Sequence, residues 1–143
     1  MNAGTELKVT VGGLQGKMQL KGKGHTGHEV QIDYFPPLGE DNGLTSLELL
    51  MISLASCSGH TVLFLLRKMG KTVEDVAVNA IGNRRMDEHP TVITDIELQF
   101  DLKGDKLDAP SVERAIRLSE ETYCPVWAML KSSVALSWKY SIS

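Results

Sequence analysis

From Leu49 to Leu66 the chain carries no fully charged side chain, and its apolar residues fall on every face of a helix. Helix signals bound this run on both sides. Thr45 with Glu48 three residues on reads as a capping box, the hydroxyl serving the Glu48 amide while the carboxylate reaches back. Gly70 stands where a left-handed C-cap belongs, and Arg67 and Lys68 suit the negative end of the helix just before it. The stretch from Thr45 to Lys68 therefore predicts a helix of roughly 36 Å, buried all round. Its uncharged length approaches that of a transmembrane helix. However, Ser56, Cys57, Ser58, Gly59, His60 and Thr61 put polar groups at its centre, where a bilayer penalises them most. The expectation is a core helix with a polar island at its middle, and buried polar groups need partners or a purpose.

The rest of the chain alternates. Leu7, Val9 and Val11, then Met18 and Leu20, then Val30, Ile32 and Tyr34 predict three strands in a meander with short glycine turns. After the long helix, Val76, Val78 and Ala80 give a fourth strand. Val92, Ile96, Leu98 and Phe100 give a fifth, interrupted at Thr94. Asp108 is a candidate N-cap with Pro110 in the first turn. Val112, Ala115, Ile116 and Ser119 follow with amphipathic helical spacing. Pro125 is expected to stop that helix and start another, from Val126 to about Ser132. Val134, Leu136, Trp138, Tyr140 and Ile142 share one face of a last strand. The order predicts an α+β fold with antiparallel sheets, since long βαβ alternation is absent. With 143 residues, one domain spanning 1–143 is the expectation.

Composition narrows the function. A net charge of −3, with no basic run interleaved with aromatics, argues against nucleic acid. The start, Met1 to Glu6, lacks the basic and apolar segments of a signal peptide. Two cysteines in such a chain suggest a reducing cytoplasm, where a disulfide is transient and chemical. No C-x-x-C or H-E-x-x-H spacing occurs, and the early glycines are not followed by a phosphate loop, so neither metal nor cofactor is expected.

Both cysteines have a bland and a chemical reading. Cys57, mid-helix, is either a small core hydrophobe or a nucleophilic thiolate whose pKa Ser56, Ser58 and His60 lower by hydrogen bonding. His60 shares a helix face with it, and is itself either a satisfied core histidine or a partner to the thiol. Cys124 precedes Pro125, beside the start of a short helix whose positive end favours a thiolate. Spacing alone does not say whether the two sulfurs meet.

Leu47-Glu48-Leu49-Leu50, Leu54-Ala55-Ser56-Cys57 and Tyr123-Cys124-Pro125-Val126 resemble the OsmC/Ohr family of osmotically inducible and organic hydroperoxide resistance proteins. Gly27 to Asp33 and Asp41-Asn42-Gly43 extend the likeness over nearly the whole chain. The resemblance implies an intertwined homodimer, with long helices central and sheets wrapping them. It also implies that the mid-helix cysteine attacks a hydroperoxide and the Cys-Pro cysteine resolves it as a disulfide. Peroxidases of the family use an arginine and a glutamate to hold the first thiolate, and this chain departs from both. No arginine precedes Arg67, and the glutamate position ten residues before Cys57 holds Leu47. Glu48 points about 180° from Cys57 on a straight helix and reads as the capping residue. Lys21, Lys23 and His28 are the replacements on offer, without the planar fork of arginine.

The sequence thus predicts a cytoplasmic, thiol-dependent organic hydroperoxide reductase for oxidative stress. Its catalytic set would be Cys57, Cys124 and His60, its reductant an external dithiol, and it would need no metal, haem or flavin. The alternative is a non-catalytic relative that binds a small apolar or electrophilic ligand. A dimeric scaffold without site chemistry is the third reading. Neither nucleic acid nor membrane is an expected partner.

Overall fold

A computed structural model describes residues 4–143. Met1 to Ala3, part of the segment read for a leader, lie outside the described residues. The elements run β1 (Val9–Gln15), β2 (Gln19–Gly24), β3 (Glu29–Ile32), α1 (Ser46–Lys68), β4 (Asp75–Arg84) and β5 (Ile93–Lys103). Then come α2 (Ala109–Leu118), a π-helical turn (Ser119–Tyr123), α3 (Pro125–Leu130) and β6 (Ala135–Ile142). The chain forms two compact units, one up to Leu50 and one from Met51 to Ser143, with α1 running from the first into the second.

In the first unit β1, β2 and β3 make the expected antiparallel meander. The third strand stops at Ile32, short of Tyr34, because Asp33 turns the chain. Asp33 is buried, and its carboxylate accepts the backbone N–H groups of Tyr34 at 2.7 Å, Asn42 at 3.0 Å and Glu40 at 3.2 Å. The Asn42 N–H above all holds this carboxyl below the usual range, against the opposing effect of burial. The loop that reads as a plain connection is thus tied to one side chain. The capping box is present at its end: Thr45 N–H donates to Glu48 Oε1 at 2.9 Å and Glu48 N–H to Thr45 Oγ1 at 3.2 Å.

In the second unit α1 ends in a Schellman motif. Gly70 has φ 79°, its N–H reaches the Arg67 carbonyl, and the Lys71 N–H reaches Leu66. Leu54, Ala55, Ser58, Gly59, Val62, Leu65 and Leu66 form its buried stripe. At Gly59 an added Cβ would stand 3.1 Å from Val78 Cγ2, so glycine there lets the helix lie close on β4. The sheet is ordered β4-β5-β6, and central β5 buries Ile96, Leu98, Phe100 and Leu102. A register shift beside Asn83 and Arg84, facing Ile93 to Asp95, accounts for the break in alternation at Thr94.

Two expectations change. This sheet is mixed: β4 and β5 are antiparallel, whereas β6 runs parallel to β5. The helix pair between them is a crossover connection, long enough to bring the chain back in the same direction. Nor is α1 buried all round within one chain. By length and hydropathy it is long enough to cross a membrane, yet only 33% of its most apolar window is buried. Ile52 and Phe64 stay 47% and 63% exposed.

Helix α2 starts as its sequence predicts. Asp108 Oδ2 accepts the Ser111 N–H at 3.0 Å, and Val112, Ala115, Ile116 and Ser119 are buried. Asp108 also meets Lys71 Nζ at 2.8 Å, which with the Ser111 bonds draws its pKa from 3.8 to about 2. A depressed carboxylate contributes stability above its unfolded pKa and loses it as pH falls toward the folded value. Asp108→Ala should therefore lower the melting temperature at neutral pH. The gap to wild type should narrow as pH falls from about 4 toward 2, as read by circular dichroism melts.

Candidate functional site

The site grows from a conflict between Pro125 and the helix before it. A residue preceding proline is pushed out of the α region, and Cys124 accordingly sits extended at φ −79°, ψ 107°. α2 ends at Leu118, earlier than the proline predicts, and the π-helical turn carries the chain on to Cys124. Such turns widen the helix by one residue and recur at functional sites. The Cys124 N–H closes this one on the Ser119 carbonyl at 2.8 Å, and Trp138 Nε1 of β6 donates to Glu120 Oε2 at 3.0 Å. Cys124 becomes the N-cap of α3, its sulfur accepting the Trp127 N–H at 3.4 Å.

Across from it, α1 presents Cys57 and Ser58 on successive residues. Ser58 Oγ lies 3.4 Å from Cys124 Sγ, and both residues are 2% exposed. The Cys57 thiol is partly exposed and within hydrogen-bonding reach of both the Val126 N–H and the Cys124 thiol. The first turn of α3 thus offers one N–H to each sulfur, Val126 to Cys57 and Trp127 to Cys124.

Burial pushes the Cys57 thiol above its ordinary value of 9.0. The Val126 N–H opposes this, while Cys124 adds to it, its sulfur accepting from the Cys57 S–H and repelling a second thiolate through the charge it would carry when ionised. The hydroxyls read as helpers of Cys57 are engaged elsewhere. Ser56 donates to the Ser53 carbonyl at 3.2 Å and Ser58 faces Cys124, while Thr61, a member of the polar island not read as a helper, donates to the Cys57 carbonyl at 2.9 Å.

The structure therefore brings Cys57 and Cys124 together. The His60 side chain is exposed and makes no hydrogen bond or ion pair among the described residues. It lines a groove of about 330 Å³ with Ile52, Ala55, Ser56, Gly59 and Leu63 of α1 and Val76 and Val78 of β4. Of the cations considered as arginine replacements, Lys21 and Lys23 pair with Glu29 at 3.3 and 3.9 Å in the first unit. His28 lines a groove beneath that unit's sheet. The residues that sequence reasoning missed are Val126 and Trp127, which act through backbone N–H groups, and Ser58, which was assigned to the wrong sulfur. The Cys-Pro pair was the available signal for the first two. Nothing in Ser119 to Tyr123 announces a π turn.

Removing the Cys124 sulfur removes both of its upward influences on Cys57. Iodoacetamide labelling of Cys57 in wild type should climb with pH beyond about 9, where an unshifted thiol already titrates. In Cys124→Ala the profile should move to lower pH. An unmoved profile would mean that the second sulfur does not govern the first.

The family described as OsmC-like protein matches residues 39–139. Protein YhfA of Escherichia coli is 31% identical over 121 residues, covering 85% of this chain and 87% of YhfA. Among solved structures, a hypothetical protein from Aquifex aeolicus superposes with a TM-score of 0.81 at 33% identity, over 97% of this chain and 98% of that one. An organic hydroperoxide resistance protein from Elizabethkingia anophelis gives a TM-score of 0.71 at 15% identity, over the full length of both chains. At that identity the likeness is one of fold.

Proposed function

The chain belongs to the OsmC-like protein family, and from that premise we propose that it is a thiol-dependent reductase of organic hydroperoxides acting in the cytoplasm. The observation that carries this reading is the meeting of two free thiols at the start of α3, each within reach of a backbone N–H. Cys57, the accessible sulfur, attacks the distal peroxide oxygen as thiolate. The O–O bond breaks, leaving a sulfenic acid on Cys57 and releasing an alcohol. Cys124 then displaces the sulfenic oxygen as water and the disulfide forms. An external dithiol returns both residues to thiols and is itself oxidised to a disulfide. His60 enters as a wall of the neighbouring groove, since among the described residues its side chain forms no hydrogen bond to either sulfur.

The raised Cys57 pKa and the lack of an arginine before Arg67 set the expected rate. A preorganised cationic donor both favours the thiolate and receives charge developing on oxygen, and losing one typically costs about 10²–10³ in rate. Turnover should therefore be slow beside arginine-bearing relatives and rise with pH. In stopped-flow consumption of tert-butyl hydroperoxide, Cys57→Ser should abolish the reaction and Cys124→Ser should allow a single turnover. If wild type is as inert as Cys57→Ser at every pH, the reductase reading falls. The same two features favour a second reading, a relative that binds a small apolar ligand in the groove beside His60. Saturable binding of such a ligand by an inert wild type would establish it.

We also propose a homodimer. Ile52, Phe64, Ile81 and Met129 of the second unit are 47%, 63%, 57% and 68% exposed in one chain. Covering a large apolar side chain is worth about 1.5–3 kcal/mol, so a second copy is a favourable cover. Light scattering at low micromolar concentration should give about twice the mass of 15.7 kDa. A monodisperse folded monomer would refute it.

A further inference from the structure

We propose that Ser58 supplies the hydroxyl that carries Cys124 as the leaving thiolate, so that reduction of the Cys57–Cys124 disulfide proceeds by attack at Cys57. This rests on reading the two cysteines as a redox pair. Access sets the direction: Cys57 is partly exposed and Cys124 is 2% exposed, so a thiol arriving from solvent meets the Cys57 sulfur. The incoming thiolate forms a new S–S bond to Cys57 while the bond from Cys57 to Cys124 breaks. The electron pair departs on Cys124 Sγ. The second thiol of the reductant then attacks the mixed disulfide, releasing Cys57. The dithiol ends as a disulfide, and its two protons end on the two cysteines.

The charge in this step therefore appears on the more deeply buried sulfur, where an anion without donors is costly. Ser58 is built for that moment. Hydroxyls within helices commonly bond back to a carbonyl of the preceding turn. Ser56 and Thr61, on either side, do so. Ser58 makes no such bond among the described residues, and its Oγ lies 3.4 Å from Cys124 Sγ in a position from which solvent is excluded. While Cys124 is a thiol, its S–H can donate to Ser58 Oγ. Once it is a thiolate, the hydroxyl turns and donates to sulfur with no movement of either backbone. The Trp127 N–H, also at 3.4 Å, donates to the same sulfur. Rates of thiol–disulfide exchange follow the stability of the departing thiolate, so loss of one of its two donors should be visible in the reductive step.

The test begins with protein oxidised by diamide, so the disulfide is made without any peroxide. Wild type, Ser58→Ala and the isosteric pair Ser58→Thr and Ser58→Val are compared for rate of reduction by dithiothreitol. The site of attack is read by mass spectrometry of the adduct with 2-mercaptoethanol. Wild type should carry the adduct on Cys57. Ser58→Ala and Ser58→Val should be reduced about ten-fold more slowly, the worth of a hydrogen bond to a charged group, and Ser58→Thr should restore the rate. Thr and Val fill the same space, so a difference between them belongs to the hydroxyl even if Ser58→Ala folds poorly. Equal rates for Thr and Val, or an adduct on Cys124, would overturn the role of Ser58. Failure of wild type to form the disulfide with diamide would overturn this inference and the redox reading together. A disulfide that forms with diamide but never with peroxide would overturn the peroxide substrate alone, leaving Ser58 to be judged on the reductive rates.

Discussion

Pro125 removes the helical conformation from the residue before it, and the arrangement of the two thiols depends on that one restriction. Were Cys124 helical, its N–H and sulfur would belong to a continuing helix and α3 would have no free first turn to offer. Held extended, the same residue caps α3. Its sulfur then meets the Trp127 N–H, and the Val126 N–H is left for Cys57. The π turn from Ser119 to Tyr123 absorbs the mismatch between the end of α2 and this cap. The Trp138–Glu120 hydrogen bond anchors that turn to β6. Backbone geometry thereby aims neutral N–H dipoles, rather than a charged side chain, at the two sulfurs.

That substitution has an energetic consequence. An N–H dipole stabilises an anion less than a full positive charge at the same distance, and it does not lift the cost of taking the anion out of water. Burial therefore remains the dominant influence on Cys57. The two sulfurs are also treated differently. The accessible one has a single backbone donor and a thiol beside it. The inaccessible one has a backbone donor and a buried hydroxyl. Donors are thus concentrated on the less accessible sulfur, the one that leaves in the proposed opening of a disulfide, rather than on the one proposed to attack peroxide.

What could be read in the sequence was local. The Thr45–Glu48 box, the Gly70 cap, the Asp108 cap and the alternation of β6 each rest on residues within a turn or strand of one another, and each is present. What could not be read was set by tertiary structure. The parallel pairing of β6 with β5 follows from the path of the crossover helices, which periodicity does not record. Ser58 sits beside Cys57 in sequence, but helical geometry turns successive side chains by about 100°, so the neighbour in sequence serves the other sulfur in space. Asp33 gathers N–H groups from residues up to nine positions on, and only the folded loop reveals it.

The central helix joins these points. Its sequence is apolar on all faces, yet within one chain the burial resolves into one stripe through Leu54, Ser58, Val62 and Leu66 and an open stripe through Ile52, Ser56, His60 and Phe64. Cys57 lies at the border of the two. A second copy laid over the open stripe would gain apolar burial of the same order as the 5–15 kcal/mol that typically holds a domain together. It would also draw water away from the exposed side of Cys57, and further desolvation raises a thiol's pKa. The cover that best satisfies the helix is therefore the one that most hinders the thiolate, unless it arrives with a donor of its own.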